Sequence, residues 1–254
     1  MERTEPMPVT TSDGRLTFGA GQPKIAVPIV ATTPAAAWQA FTQLPLDQID
    51  LVEWRLDCLS DPLDTAAIVP IAQRMHAQLP LLATIRTQAE GGQWAPTPAQ
   101  YRTVYQSLLA APAVDLLDLE AALPAQLVQP LRQQAQQQGV KVIASYHNFT
   151  ATPTTPELAA INARLAATGA DLIKWAVMPQ SATDVLTVLG AINAYHGPQP
   201  LIAMAMGDWG KVTRLTGGIF PSAITFATAG TASAPGQLTV GAVRATLALL
   251  ERKG

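Results

Sequence analysis

The chain has 254 residues, 48% of them apolar and only 13% charged, a balance that suits one large core or two small ones. A formal net charge of −2 argues against the clustered basic footprint of a nucleic-acid binder. A single cysteine, Cys58, excludes an internal disulfide and a CxxC knuckle, and His76, His147 and His196 are too scattered for an HxxxH or HExxH zinc pattern.

No apolar run reaches the length of a membrane span, and residues 1–22 lack an apolar signal core. The expectation is a soluble, cytoplasmic protein with neither a nucleic-acid nor a membrane partner. From Lys24 onward the chain repeats one rhythm: a short apolar run, punctuation, then an amphipathic stretch. The runs are KIAVPIVA (24–31), DLVEWRL (50–56), LLATIRT (81–87), VDLLDLE (114–120), KVIASYH (141–147), DLIKWAV (171–177), PLIAMAM (200–206) and SAITFAT (222–228). Each has strand length and is rich in Val, Ile or Leu.

The stretches between them carry helix signals. Thr33-Pro34 and Thr97-Pro98 open two of them, and Pro156, Glu157 and Gly169 frame a third. The glutamine-rich segment QLVQPLRQQAQQQG reads as a solvated helix beginning near Pro130. Strands alternating with helices imply βα units and a parallel sheet. Eight units in this length predict a single-domain (β/α)8 barrel over residues 23–254, preceded by an extension, 1–22, with a short hairpin or plug at 15–22. An open doubly wound sheet is the competitor, but no GxGxxG follows an early strand.

Sites on such a barrel lie at the C-terminal ends of the strands, and this chain places polar groups there repeatedly. The second run ends Glu53-Trp54-Arg55, the third reaches Arg86 ahead of Glu90-Gly91-Gly92, and the fourth ends Asp118-Leu119-Glu120. The fifth ends Ser145-Tyr146-His147, the sixth carries Lys174, and Arg214 follows the seventh. Side chains two apart on a strand share a face, so the pairs Glu53/Arg55, Asp118/Glu120 and Ser145/His147 project into one mouth. Taken singly, Glu53 and Arg55 also read as a rim salt bridge, Asp118 and Glu120 as capping charges, and His147 as a hydrogen-bonded core histidine. His76 and His196 fall in helix-like segments and read as surface residues. Lys174 resists a bland reading, because Leu172, Ile173, Trp175, Ala176 and Val177 surround it with apolar groups.

A lysine amine attacks a carbonyl only when neutral, which at pH 7 costs about 4–5 kcal/mol from a pKa of about 10.4. Burial and cations such as Arg55, Arg86 or Arg214 are expected to reduce that cost. The resulting imine acidifies the adjacent carbon, and a histidine on the preceding strand, His147, suits the proton transfer. Glu90 or Asp118 can hold the imidazole, and the arginines can bind an anionic substrate. Such chemistry needs no external cofactor and no metal.

Together, EWR (53–55), ATIRT…EGG (83–92), DLE (118–120), SYHNFTATP (145–153), KWAVMPQS (174–181), MAMGDWGKVTRLTG (204–217) and SAPGQ (233–237) resemble type I 3-dehydroquinate dehydratase, in order and in register over about residues 24–250. The resemblance implies a (β/α)8 barrel that converts 3-dehydroquinate to 3-dehydroshikimate and water, the third step of the shikimate pathway. It implies Lys174 as the imine-forming lysine, His147 as general acid/base, and Glu90 and Asp118 as acids assisting that histidine. It further implies Glu53, Arg55 and Arg86 as substrate contacts, Arg214 as the carboxylate-binding arginine, and Ser233 and Gln237 on a closing loop within AGTASAPGQ (229–237). The family also tends to form homodimers. Pro28 and Thr213 depart from the family pattern: Pro28 stands where some members carry a small hydroxyl residue, and Thr213 stands where serine is common. Two other readings stay open: a class I aldolase, with Arg214 and the Thr216-Gly217-Gly218 turn as a phosphate cradle, and a catalytically silent ligand-binding barrel.

Overall fold

The structure is a computed structural model that describes residues 6–230 and 233–251. Eight strands form one parallel sheet: β3 (Lys24–Ile29), β4 (Leu51–Arg55), β5 (Leu81–Thr84), β6 (Leu116–Glu120), β7 (Lys141–Asn148), β8 (Leu172–Val177), β9 (Leu201–Ala205) and β10 (Ile224–Phe226). Their order is β10-β3-β4-β5-β6-β7-β8-β9, so β10 returns to the first strand of the barrel. The remaining seam, between β9 and β10, is joined by Ala223 N donating to Leu201 O at 2.7 Å and by the Ser222 hydroxyl. That hydroxyl accepts from Ala203 N at 3.1 Å and donates to Ile224 O at 3.2 Å.

A four-fold sequence pattern underlies this closure. Asp50, Asp115 and Asp171 immediately precede runs that begin Leu-Val, Leu-Leu and Leu-Ile, and Ser222 precedes Ala-Ile. Each side chain accepts a hydrogen bond from the start of the previous strand: Asp50 from Ile25 N at 2.7 Å, Asp115 from Leu81 N at 2.8 Å, Asp171 from Val142 N at 2.9 Å and Ser222 from Ala203 N. A buried amide without a partner is costly, so the polar residue at every second strand start sets the stagger of its neighbour.

Eight helices cover the sheet: α1 (Pro34–Thr42), α2 (Thr65–His76), α3 (Pro98–Ala110), α4 (Ala125–Gln137), α5 (Thr155–Ala166), α6 (Ala182–Asn193), α7 (Lys211–Leu215) and α8 (Val240–Leu249). Thr33 and Thr97 cap α1 and α3 with Pro at the first position, as their sequence predicts. The glutamine-rich helix differs: it starts at Ala125, after Pro124, and runs through Pro130. Leu127, Leu131 and Ala135 bury one continuous face on both sides of that proline, so packing carries the helix past the one hydrogen bond the ring removes.

Two apolar layers result. One lies between sheet and helices and contains Trp54, Trp175, Tyr101 and Tyr105. The other fills the barrel, with Leu51, Leu82, Leu116, Ile143 and Leu172 from the strand starts meeting Leu16 and Phe18. Leu16 and Phe18 belong to an antiparallel hairpin of β1 (Val9–Thr10) and β2 (Thr17–Phe18), so the plug begins six residues earlier than the sequence suggests. The Thr11 hydroxyl donates to Asp13, and Arg15 pairs with Asp13 and reaches Asp115; these polar contacts fix the hairpin where little apolar periodicity marked it. His76 also departs from expectation: it is half-buried, with Nδ1 2.8 Å from Asp115 Oδ2, whereas His196 is exposed.

Candidate active site

With the bottom plugged, the open end of the barrel is the C-terminal end of the strands. A pocket there is lined by Glu53, Arg55, Arg86, His147, Lys174 and Arg214, with Ser233 and Gln237 at its edge. A second, larger cavity of about 200 Å³, at the start of β9 and β10, is lined by Gln22, Tyr195 and glycines including Gly217 and Gly218 and has no charged side chain. The turn that a phosphate cradle needs therefore faces away from Lys174 and Arg214.

Lys174 is 5% exposed. Its Nζ donates to Asp118 Oδ2 at 3.1 Å, lies 3.8 Å from Glu53 Oε1, and stands 4.6 Å from the centre of the Phe226 ring. The sequence led us to expect arginines around this amine; the structure instead pairs it with two carboxylates. Arg86 and Arg55 are drawn off by acids of their own. Arg86, buried, donates to Glu90 at 3.2 Å, to Asp118 and Glu120 at 2.9 Å and to Ser145 Oγ at 3.0 Å. Arg55 is clamped by Asp57 at 2.8 and 2.7 Å.

His147 stands on β7, where Ser145 is in register with Lys174 of β8. The imidazole thus lies two residues further along the same inward face, an offset of roughly 6.6 Å. Its Nδ1 is 3.0 Å from Glu90 Oε2. Of the two acids expected to hold the histidine, only Glu90 does; Asp118 sits deeper and is used by Lys174, Arg86 and Ser145. Glu90 reaches the ring because Gly91 and Gly92 turn the chain sharply. Gly91 has φ +84°, and a Cβ there would lie 2.5 Å from the Phe149 ring; one on Gly92 would lie 1.8 Å from Arg86 O. The EGG triplet is thereby explained sterically.

Burial and neighbouring charge displace the protonation equilibria of Asp118, Glu90 and His147. Burial raises the Asp118 carboxyl, but Arg86 and Lys174 outweigh it and hold the group down at about 2. Burial pushes Glu90 up to about 8, with Arg86 opposing and Glu120 and Asp118 reinforcing. Burial, then Arg86, Lys174 and Arg55, drive His147 well below the ordinary histidine value. Near neutrality the Asp118 carboxylate is charged, whereas the Glu90–His147 pair is poised to gain or lose one proton as a unit.

Arg214 is 3% exposed and has no acidic partner among the described residues. Its Nη1 meets Met204 Sδ at 3.3 Å, its Nη2 donates to Pro235 O at 3.2 Å, and its Nε is buried without a partner. Burial draws the guanidinium down to about 10. A buried cation without an acidic partner is suited to binding an anion. On the adjoining loop, Ser233 N donates to Gln237 Oε1 at 2.8 Å and Gly207 N donates to Pro235 O at 3.2 Å. Thr231 and Ala232 of the expected closing loop lie outside the described residues.

A model of the family described as type I 3-dehydroquinase matches residues 25–253. The chain belongs to the type I 3-dehydroquinase family. It is 39% identical to the 3-dehydroquinate dehydratase of Enterococcus faecalis, over 96% of this chain and 98% of that one. The enzyme of Listeria welshimeri is 40% identical over 94% and 96%. Among solved structures, the 3-dehydroquinate dehydratase of Geobacillus kaustophilus superposes with a TM-score of 0.91 at 33% identity, covering 98% of both chains.

The two departures from the family pattern separate on geometry. Thr213 keeps the hydroxyl in use: its Oγ1 accepts from Ala205 N at 3.0 Å and donates to Gly210 O at 2.7 Å. Pro28 shares the inward face of β3 with Ala26 and brings no donor to the mouth. Sequence reading missed the apolar wall formed by Met204, Met206, Phe226 and Phe149, although the two-residue spacing of the methionines signals a shared face. It also missed Asp57.

Proposed function

We propose that this protein dehydrates 3-dehydroquinate to 3-dehydroshikimate through an imine on Lys174. The observation that carries the reading is a buried lysine and an uncharged histidine–carboxylic acid pair on neighbouring strands of one pocket, opposite a buried arginine that lacks an anion. Arg214 takes the substrate carboxylate through parallel N–H donors. This orients the ring with its ketone toward Lys174.

Lys174 gives up a proton, its amine adds to the ketone, and loss of water from the carbinolamine leaves a protonated imine. That cation occupies the place of the ammonium, so Asp118 and Glu53 face positive charge again once the imine has formed. Asp118 is too weak a base to take protons near neutrality, which leaves the His147–Glu90 pair to move them. His147 removes a proton from the carbon next to the imine. The enamine expels the β-hydroxyl, which leaves as water with that proton, and hydrolysis of the product imine frees Lys174. Glu53, Arg55 and Arg86 contact the substrate hydroxyls, and the loop bearing Ser233 and Gln237 closes over them.

The test is direct. With 3-dehydroquinate the enzyme produces a conjugated enone acid that absorbs in the ultraviolet, and borohydride traps a stable adduct that mass spectrometry places on Lys174. Lys174→Ala loses both the adduct and turnover; full turnover in that variant ends the proposal. His147→Ala still forms some adduct, with kcat lower by roughly 10²–10⁴. Binding without product points to the silent barrel, and cleavage without the enone to an aldolase.

The same reading places the enzyme in the cytoplasm as a homodimer. A lone half-buried cysteine suits a reducing compartment, and among the described residues no helix is long and apolar enough to cross a membrane. The dimer rests on the family resemblance, and sedimentation at two concentrations tests it.

A further inference from the structure

Asp57 is buried in the turn after β4 and lies outside the wall of the pocket. Its two carboxylate oxygens have matched duties. Oδ1 accepts from Arg55 Nε at 2.8 Å and from Arg86 N at 3.1 Å; Oδ2 accepts from Arg55 Nη2 at 2.7 Å and from Gln93 N at 3.2 Å, with the Cys58 thiol a further, weaker donor at 3.7 Å. Each oxygen therefore joins the guanidinium of one pocket residue to the backbone of the segment that carries another, Arg86, and the acid that holds His147, Glu90. Arg55 Nη1 is left without a partner among the described residues, on a side chain that lines the pocket.

We infer that Asp57 is a positioning residue for the dehydratase reaction: one carboxylate orients Arg55 for the substrate and anchors the Arg86–Gln93 segment that holds Glu90 against His147. The inference rests on the proposed dehydratase reading. Architectural carboxylates in this barrel also combine the two kinds of contact, as Asp115 does with Leu81 N, Arg15 and His76, so what marks Asp57 is which groups it joins. Here each oxygen divides itself between a substrate-facing cation and a loop amide. The arrangement also has no room for an amide. Rotating Asn either way turns its NH2 toward two N–H donors, so one pair must break. Because the segment beyond Arg86 bears the acid that sets the histidine's proton, the displacement reaches both binding and the proton-transfer pair.

The experiment compares Asp57→Asn and Asp57→Glu with the wild type by steady-state kinetics on 3-dehydroquinate across pH, alongside Arg55→Ala and the Arg55→Ala/Asp57→Asn double variant. Misplacing a positioning contact by about 1 Å lowers kcat/KM roughly a hundredfold. For Asp57→Asn we expect a loss of about ten- to a hundredfold, divided between a raised KM and a lowered kcat, with the pH profile of kcat/KM displaced. In the Arg55→Ala background the KM part disappears and the displaced pH profile remains, since the two residues act on KM through one contact. Asp57→Glu retains the charge, so it tests position separately: a raised KM with a wild-type melting temperature supports the inference even if Asp57→Asn does not fold. Unchanged KM and pH profile in the folded variants, with only a lower melting temperature, overturn it. Failure of the wild type itself to produce the enone acid, measured in the same run, counts against the dehydratase reading and is distinct from either result.

Discussion

Asp118 Oδ2 accepts a hydrogen bond from Lys174 Nζ at 3.1 Å, so the amine proposed to attack the substrate rests against a carboxylate held ionised at about 2. The ion pair has a consequence for catalysis. The protonated imine carries the same charge in the same place, and the negative charge that greets it is already oriented by Arg86 and Ser145. Asp118→Asn keeps the shape and removes the charge. We expect a fall in kcat of about 10²–10³ and slower borohydride trapping on Lys174, in line with the loss of one preorganised electrostatic partner. Unchanged trapping kinetics contradict this role.

Glu90 has a folded-state value of about 8, above the 4.5 of an ordinary glutamic acid. The folded chain therefore holds that proton more tightly than the unfolded chain. The associated stabilisation is complete below about 4.5 and is lost as pH rises through about 8. Glu90→Gln stays neutral, so its unfolding free energy falls less steeply over that window in urea titrations. Its kinetics run the other way. The wild-type advantage in kcat/KM grows between about pH 6 and pH 9, because only the ionised carboxylate can steady the imidazolium left by proton abstraction. A ratio that does not vary with pH removes Glu90 from the proton-transfer pair.

Arg214 and Arg86 are both buried cations, yet their removal has opposite effects on stability. Arg214→Leu deletes a charge with no acidic partner, so the melting temperature holds or rises while carboxylate binding weakens by about 2–5 kcal/mol. Differential scanning fluorimetry with and without saturating product reads both quantities: the wild type gains stability from the ligand and the variant does not.

Arg86→Met leaves Glu90, Asp118 and Glu120 buried without their shared cation. Breaking such a network costs about 3–5 kcal/mol, a large part of what a domain has. Equilibrium unfolding in urea measures the loss. A variant as stable as the wild type places the network's energy elsewhere.

The barrel was legible in the chain because its strands are short apolar runs at regular spacing, and a two-residue period is enough to place Glu53, Arg55, His147 and Lys174 on one inward face. The polar residue before every second strand was visible too, but its function was not, since its hydrogen-bond partner belongs to the preceding strand. The helix through Pro130 and the early start of the hairpin escaped because burial and side-chain pairing overrode the local signals.

Residue type and strand position were thus determined by sequence alone: a lysine in an apolar strand, a histidine on the one before it, an arginine just after the seventh. Tertiary structure decided which charges pair. Lys174 and Asp118 are 56 residues apart, and Asp57 meets the segment bearing Arg86 and Glu90 only when β4 and β5 lie side by side. Charge pairing depends on distances of a few ångströms between strands, and a linear pattern carries no such distance; the same carboxylates could have held the histidine, the lysine or the arginines until the barrel closed.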